Sequence, residues 1–177
     1  LSCITRKTFK NVYSAKNEIE GDCFGVITHE KKLQTLRSFI RRPRKSVLIN
    51  SPTCSFMFEE SNRKFAENLR FKMDQNGYKR VLVTSVAENE GKSTISTNLA
   101  LALSSMGKKV LIIDVDFRKP ALYKIVEKDR ASFPDIISYI DGSSEIEDII
   151  CKFARTGVDM VMNFGSRRDS ASFIRSE

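Results

Sequence analysis

One stretch of the sequence constrains the fold more than any other, because it alternates apolar runs with a glycine-containing turn and an amphipathic segment. It occupies residues 81–116 and reads VLVTSVAENEGKSTISTNLALALSSMGKKVLIIDVD. The short apolar runs at its two ends, rich in β-branched residues, are typical of strands buried on both faces. The amphipathic segment places four apolar side chains on one stripe of a helix, namely Ile95, Leu99, Leu103 and Met106. Parallel strands joined by a helix need a right-handed crossover, so the stretch predicts an α/β fold with a parallel sheet flanked by helices.

Further elements are predicted on both sides of this stretch. Before the stretch, apolar residues recur at steps of seven, four and four, at Phe58, Phe65, Leu69 and Met73. This spacing predicts a helix that ends at Gly77. Downstream, EIEDIICKF predicts a helix and VDMVMNF a third strand. Residues 1–50 show weak periodicity, so we interpret them as an extended arm. Residues 51–177 then form the folded domain.

The turn between the first strand and its helix has the composition of a phosphate-binding site. Such a turn directs backbone N–H groups towards one point at the positive end of a helix dipole. Gly91 lets the backbone approach a phosphate, Lys92 supplies positive charge, and the Ser93 hydroxyl suits one coordination position of Mg²⁺. The candidate nucleotide-binding residues are therefore Glu88, Asn89, Glu90, Gly91, Lys92, Ser93 and Thr94.

The match to the phosphate-binding pattern is imperfect. A strict GxxxxGK[ST] pattern requires glycine where Val86 stands. The alternative is a chance Gly-Lys-Ser at the start of a helix. The strand-turn-helix context and the aspartates downstream favour the phosphate site.

Asp114 and Asp116 lie at the carboxyl end of the next predicted strand. In an open parallel sheet that end borders the ligand crevice, and residues two apart on a strand point the same way. Both carboxylates are therefore candidates for catalysis, with Asp114 also a candidate ligand of Mg²⁺. The alternative is a pair of carboxylates that only caps the next turn. Arg118 and Lys119 follow as possible charge partners for phosphate, with solvation the expected state of Lys119.

The positive charge is concentrated at the start of the chain. The net charge is +8, and residues 1–50 hold 11 Lys or Arg against 4 acids. Such a segment can contact anionic lipid, or it can be a solvated surface. Nucleic acid is not an expected partner, because interleaved aromatic residues and nucleic-acid motifs are missing. A single His29 and four cysteines without a CxxC pair exclude a zinc finger.

The stretch TSVAENEGKSTISTNLALALSSMGKKVLIIDVDFRKP resembles the Walker A to Walker A′ region of the bacterial tyrosine kinases of capsule and exopolysaccharide assembly, the BY-kinases. The preceding SPTCSFMFEESNRKFAENLRF is similar to their helix with an ExxRxxR pattern, and NFGSRRDSASFIRSE to the stretch after their third strand. More weakly, TFKNVYSAKNEIEGDCFGVITHEKK is similar to the segment that follows their second transmembrane helix.

This resemblance implies a P-loop NTPase-like fold, cut off here after the third parallel strand, that uses ATP and Mg²⁺. It implies a tyrosine autokinase that regulates polysaccharide polymerisation or export, with Lys92, Asp114 and Asp116 catalytic and Ser93 and Asp114 at the metal. Glu60 and Arg63 would support homo-oligomers that phosphorylate in trans. A transmembrane chain-length-regulator domain, fused N-terminally, would hold the kinase at the cytoplasmic face of the bacterial inner membrane, against anionic lipid.

The chain departs from the BY-kinase pattern in three places. Ala66 stands where the last arginine of ExxRxxR would be, which puts ring assembly in doubt. A Walker B aspartate is missing, because Asp159 begins its strand instead of ending it. A tyrosine-rich tail is also missing. We therefore expect a polypeptide ending at Glu177 neither to autophosphorylate nor to fold as a stable monomer.

Two other functions remain open. A ParA or MinD type ATPase is a dimeric switch without kinase activity, and such proteins usually carry a second lysine where this chain has Ala87. The second function is that of a membrane adaptor that only binds nucleotide. The presence of both Asp114 and Asp116 argues against an adaptor.

Overall fold

The computed structural model describes residues 21–30, 47–85, 87–127, 133–153 and 156–165. Within these ranges the helices are α1 (Phe56–Asn76), α2 (Lys92–Ser105), α3 (Leu122–Ile125), α4 (Ile136–Ile140) and α5 (Ile146–Ile149). The strands are β1 (Val110–Ile113), β2 (Ile150–Phe153) and β3 (Val158–Val161). None of the helices in these ranges combines the length and the apolar character needed to cross a bilayer.

The first long helix has the ends that its sequence predicts. The Ser55 side chain accepts a hydrogen bond from the Phe58 N–H at 3.2 Å, which satisfies one of the unpaired donors of the first turn. Gly77 ends the helix with φ 69°, a left-handed conformation that glycine adopts without steric cost. The predicted α1 is confirmed.

The two long helices pack closely through small side chains. Ala66 of α1 is fully buried against Leu99 and Ala102 of α2. Short side chains let the two backbones approach each other, so a longer side chain at position 66 would have to displace its packed neighbours. The alanine that interrupts the ExxRxxR pattern is therefore part of the packing between α1 and α2.

The three strands form one sheet in the order β1-β3-β2. β1 pairs with β3 in parallel, from Val110 opposite Val158 to Ile113 opposite Val161. α2 packs on this sheet, and its Ala100 and Leu101 join the main core. The other fully enclosed members of that core are Leu48, Leu122, Val158, Met160, Met162 and Phe164.

The sheet is mixed, which differs from the purely parallel sheet that the sequence predicts. β2 runs antiparallel to β3, and only residues 154–157 connect the two strands. A parallel crossover needs a dozen or more residues, so this connection permits only an antiparallel pair. The predicted helix at EIEDIICKF is correspondingly wrong in its second half, where β2 begins at Ile150.

Residues 81–85 are not a strand, although their sequence predicts one buried on both faces. Leu82 is 80% exposed and Val81 is 44% exposed. Among the described residues, no strand pairs with this segment, and an apolar run becomes a buried strand only when neighbours cover its edges and faces. The same absence leaves Leu111 and Ile113 of β1 exposed on one face.

Two pieces of the predicted N-terminal arm lie against the domain. Residues 22–30 run antiparallel along α1, with Asp22 paired to Lys72 at 2.9 Å at one end and Glu30 hydrogen-bonded by the Ser55 hydroxyl at the other. Farther along, the buried Asn98 side chain of α2 bonds the backbone of residues 47 and 49, which places Leu48 in the core. The remainder of residues 1–50 lies outside the described ranges.

Candidate functional site

The turn before α2 has the backbone geometry of an anion-binding loop. Asn89 (φ 62°) and Gly91 (φ 89°) both adopt left-handed conformations, which turn the chain sharply into the helix. The Ala87 N–H donates to the Glu90 carboxylate at 3.0 Å and closes the turn. A Cβ at Gly91 would meet no protein atom within 4 Å, so steric contact within the protein does not require glycine here. The positive φ of Gly91 does favour glycine, because other residues rarely adopt it.

The amino terminus of α2 follows this turn directly. Gly91 is its N-cap residue, and because glycine has no side chain it makes no side-chain capping hydrogen bond. The N–H groups of the first turn and the helix dipole therefore favour an anion at this point. Lys92 and Ser93, the first two residues of α2, are half-buried there and add an ammonium group and a hydroxyl group.

A cavity of 360 Å³ opens beside this helix end. Four of the predicted site residues line it, namely Lys92, Ser93, Asp114 and Asp116. The remaining predicted residues, Glu88, Asn89, Glu90, Gly91 and Thr94, form the turn and the first helical turn without lining the cavity. The structure therefore brings the predicted lysine, hydroxyl and two carboxylates together around one space.

Asp114 is held by the backbone that follows β1. Its exposed fraction is 8%, and one carboxylate oxygen accepts the Asp116 N–H at 3.1 Å. The other oxygen accepts the N–H groups of Ala121 and Leu122 at 3.2 and 3.0 Å. Burial raises the pKa of Asp114 above its ordinary value, although the three backbone donors oppose this change. Asp114 therefore caps the turn that follows β1, and its carboxylate also lines the cavity.

Asp116 organises the next turn. One of its carboxylate oxygens accepts the N–H groups of Arg118 and Lys119, at 3.1 and 2.9 Å. Its backbone carbonyl accepts the Asn163 side-chain amide at 3.2 Å, which ties it to the residues after β3. Asp116 is only half-buried, and its second carboxylate oxygen makes no hydrogen bond with the described residues. That oxygen can accept a ligand.

A model of the CobQ/CobB/MinD/ParA nucleotide binding domain matches residues 81–172, just over half of the chain. The chain belongs to this family. The family binds nucleotides, which agrees with the phosphate turn, the amino terminus of α2 and the cavity described above. The predicted P-loop NTPase-like fold is confirmed.

Relatives within the family carry a more specific description. The chain is 33% identical over 102 residues to EpsB of Ralstonia nicotianae, a match that covers 58% of the chain and 13% of EpsB. It is 37% identical over 94 residues to tyrosine-protein kinase CpsD of Streptococcus agalactiae, which covers 53% of the chain and 40% of CpsD. The chain thus spans less than half of the length of these relatives.

The fold is similar to that of the solved BceF tyrosine kinase domain. The TM-score is 0.76 at 19% identity, and the match covers 94% of this chain and 66% of that domain. The resemblance to bacterial tyrosine kinases that the Walker A to Walker A′ residues indicate is therefore confirmed, both by named relatives and by a shared fold.

The donors in the cavity fit a magnesium ion bound together with a nucleotide. Mg²⁺ takes one or two protein oxygens and completes its octahedron with water and phosphate oxygens. Ser93, Asp114 and Asp116 supply a hydroxyl and two carboxylates around the cavity. Within the part of the chain that the structure describes, no group of three His, Cys, Asp or Glu side chains suited to a metal occurs.

Two polar residues at the site were not identified from the sequence. Ser96 lines the cavity one helical turn after Lys92, a spacing that places both on one face of α2. Asn163 is fully buried and follows β3, which is parallel to β1, so its position next to Asp116 could have been inferred from the shared sheet edge.

The predicted oligomerisation residues lie away from the cavity on α1. Arg63 donates to the Glu60 carboxylate at 2.8 Å, and Lys64 approaches the same carboxylate at 3.6 Å. Within a single chain these groups therefore pair along one helix.

Proposed function

We propose that this chain is the nucleotide-binding part of an ATP-dependent protein-tyrosine autokinase. The observation that carries the proposal is the convergence of Lys92, Ser93, Asp114 and Asp116 around one cavity at the amino terminus of α2. Phosphoryl transfer requires this combination of a phosphate-binding helix end, a cation ligand and a carboxylate. The tyrosine-kinase name of CpsD supports tyrosine as the acceptor.

In this proposal the residues serve phosphate binding, cation binding and proton acceptance. The α2 amino terminus and Lys92 bind the β- and γ-phosphates, while Ser93 and Asp114 hold the cation. When bound, Mg²⁺ neutralises charge on the transferring phosphoryl group. Asp114 and Asp116 border the acceptor hydroxyl, and a carboxylate takes its proton as the new oxygen–phosphorus bond forms and the bond to ADP breaks.

The proposal is tested by phosphotyrosine formation in the full-length natural protein. Lys92→Met removes a charge from the transferring phosphate, and loss of one such preorganised contact costs roughly 100-fold in rate. Lys109→Met is the matched control, because it removes an exposed lysine before β1, at the end of the sheet opposite the cavity. Autophosphorylation near the wild-type level in Lys92→Met would remove the assignment.

A ParA or MinD type ATPase switch is the second candidate, because the matched family includes those proteins by name. Ala87 stands where such ATPases usually carry their second lysine, which favours the kinase. The two functions differ in product. ATP hydrolysis without phosphotyrosine would support the switch, and nucleotide binding without turnover would support an adaptor.

We further propose that the kinase works at the cytoplasmic face of the bacterial inner membrane as a homo-oligomer, joined to a chain-length-regulator domain and acting on polysaccharide polymerisation or export. The positive charge of residues 1–50 supports contact with anionic lipid, since each Lys or Arg near such a surface contributes on the order of 1 kcal/mol. Vesicle co-sedimentation should rise with anionic lipid and fall with salt. Equal binding to neutral vesicles would contradict this contact.

A further inference from the structure

An ion pair joins the phosphate turn to the turn after β1, whose residues Asp116 and Arg118 line the candidate nucleotide cavity. Lys119, in the turn after β1, places its ammonium group 2.5 Å from the carboxylate of Glu88, in the phosphate turn. Both side chains are about two-thirds exposed, at 69% and 67%. The ammonium group of Lys119 is therefore held by a negative group of the phosphate turn.

The backbone that carries Lys119 is fixed. Asp116 accepts the Lys119 N–H at 2.9 Å, and the buried Pro120 follows. The Lys119 side chain can therefore move while its backbone stays in place. The reach of a lysine chain covers the phosphate turn from this position, because its ammonium group already contacts a residue of that turn.

An exposed ion pair of this kind is weak and exchangeable. Pairs between solvent-exposed groups contribute little to stability, and salt screens them. A nucleotide triphosphate brings several negative charges to the amino terminus of α2, where the helix dipole also holds them. The single carboxylate of Glu88 is a poorer partner for an ammonium group than these phosphates are.

We propose that the Glu88–Lys119 pair is a latch that opens when nucleotide binds. Without nucleotide, Glu88 holds Lys119 beside the phosphate turn. With nucleotide, Lys119 leaves Glu88 and binds the terminal phosphates, so that Glu88 competes with ATP for this lysine. This inference rests on the proposed nucleotide-binding function, and Asp116 acts in it as the positioning residue for Lys119.

The test is a calorimetric titration of the full-length natural protein with ATP in Mg²⁺. Lys119→Met should weaken ATP binding by up to about tenfold, because a phosphate contact is lost. Glu88→Gln should strengthen ATP binding by up to about fivefold, since an exposed competing pair is removed. In Lys119→Met/Glu88→Gln the affinity should equal that of Lys119→Met alone, because Glu88 acts through Lys119.

AMP gives an internal control, since it lacks the terminal phosphates, and its affinity should be the same in all four proteins. Asp74→Asn is the matched control variant, because it breaks the exposed Lys108–Asp74 pair of 3.1 Å, which lies outside the cavity. It should leave ATP affinity unchanged. Far-ultraviolet circular dichroism melts check that each variant is folded.

Two outcomes would overturn the latch. Glu88→Gln could strengthen ATP binding equally with and without Lys119, which would make Glu88 a direct repulsive charge. Lys119→Met could bind ATP as the wild type does. If the wild-type protein binds no ATP, the proposed nucleotide site itself is refuted. If the wild type binds ATP and the variants have the same affinity, only the latch is refuted.

Discussion

The two sides of this domain differ in how completely their apolar residues are covered. On one side, β3 lies between β1 and β2, and Met160 at its centre is fully buried. On the other side lies the segment of residues 81–85, three of which line the cavity, and its Leu82 is 80% exposed. Both segments are short apolar runs with β-branched residues. The comparison teaches that an apolar run predicts a tendency to be buried, while the neighbouring elements determine whether burial occurs.

The largest expected effect of a substitution lies on the covered side. Met160→Ala removes a fully buried side chain from the core under α2, and such changes cost about 2–5 kcal/mol through lost burial and a residual cavity. Urea denaturation would measure the free energy of unfolding. A change below about 1 kcal/mol would mean that β3 is not the packed centre of the domain.

A second prediction concerns the helix contact on the same side. Ala66→Arg places a long side chain between α1 and α2, against Leu99 and Ala102. Overpacking of this kind costs about 1–3 kcal/mol. Glu67→Arg, on the exposed face of α1, is the control and should cost little. Equal melting temperatures for the two variants would contradict the close packing of α1 and α2.

Asp114, which lies between the covered core and the cavity, should make the stability of the domain depend on pH. Its pKa is raised in the folded state by burial, so the folded state binds the proton more tightly than the unfolded state does. Its contribution to stability is therefore fully present below its unfolded pKa of about 3.9 and is lost as pH rises through the folded pKa.

Unfolding of wild type and Asp114→Asn without Mg²⁺, from about pH 3 to about pH 7, would measure this contribution. The stability of wild type relative to the variant should fall with rising pH, by about 1.4 kcal/mol for each pH unit that separates the folded pKa from the unfolded pKa. A difference that increases with pH would show that the backbone donors to Asp114 outweigh its burial.

The smallest effect is expected on the open side. Leu82→Ala removes a side chain that has little contact to lose, so the free energy of unfolding should change by no more than about 0.5 kcal/mol. The same denaturation experiment measures it beside Met160→Ala. A loss comparable to that of the core variant would show that residues 81–85 are covered in solution.

Local signals in the sequence predicted much of the fold and of the candidate site. Gly77, the α2 stripe and the turn before Lys92 each act over a few residues, so their effects on α1, α2 and the phosphate turn could be predicted. Asp114 and Asp116 could be placed at the cavity because strand ends share one edge of a sheet.

Features set by distant partners could not be predicted in this way. The antiparallel β2 depends on its short connection to β3, and the exposure of residues 81–85 depends on the absence of a described neighbour. The Glu88–Lys119 pair joins residues 31 positions apart, and its members carry no periodic pattern. Solvation is expected for Lys119, and its side chain is 69% exposed but also pairs with Glu88.

The central claim is that the amino terminus of α2 binds the phosphates of ATP through Lys92. Calorimetric titration of the full-length natural protein with ATP and Mg²⁺ tests this claim most directly, with wild type and Lys92→Met compared at one salt concentration. Hydrogen bonds to charged groups are worth about 1.5–3 kcal/mol, so Lys92→Met should bind ATP about 10- to 100-fold more weakly while melting at the same temperature. Equal ATP affinity in the two folded proteins would contradict the account.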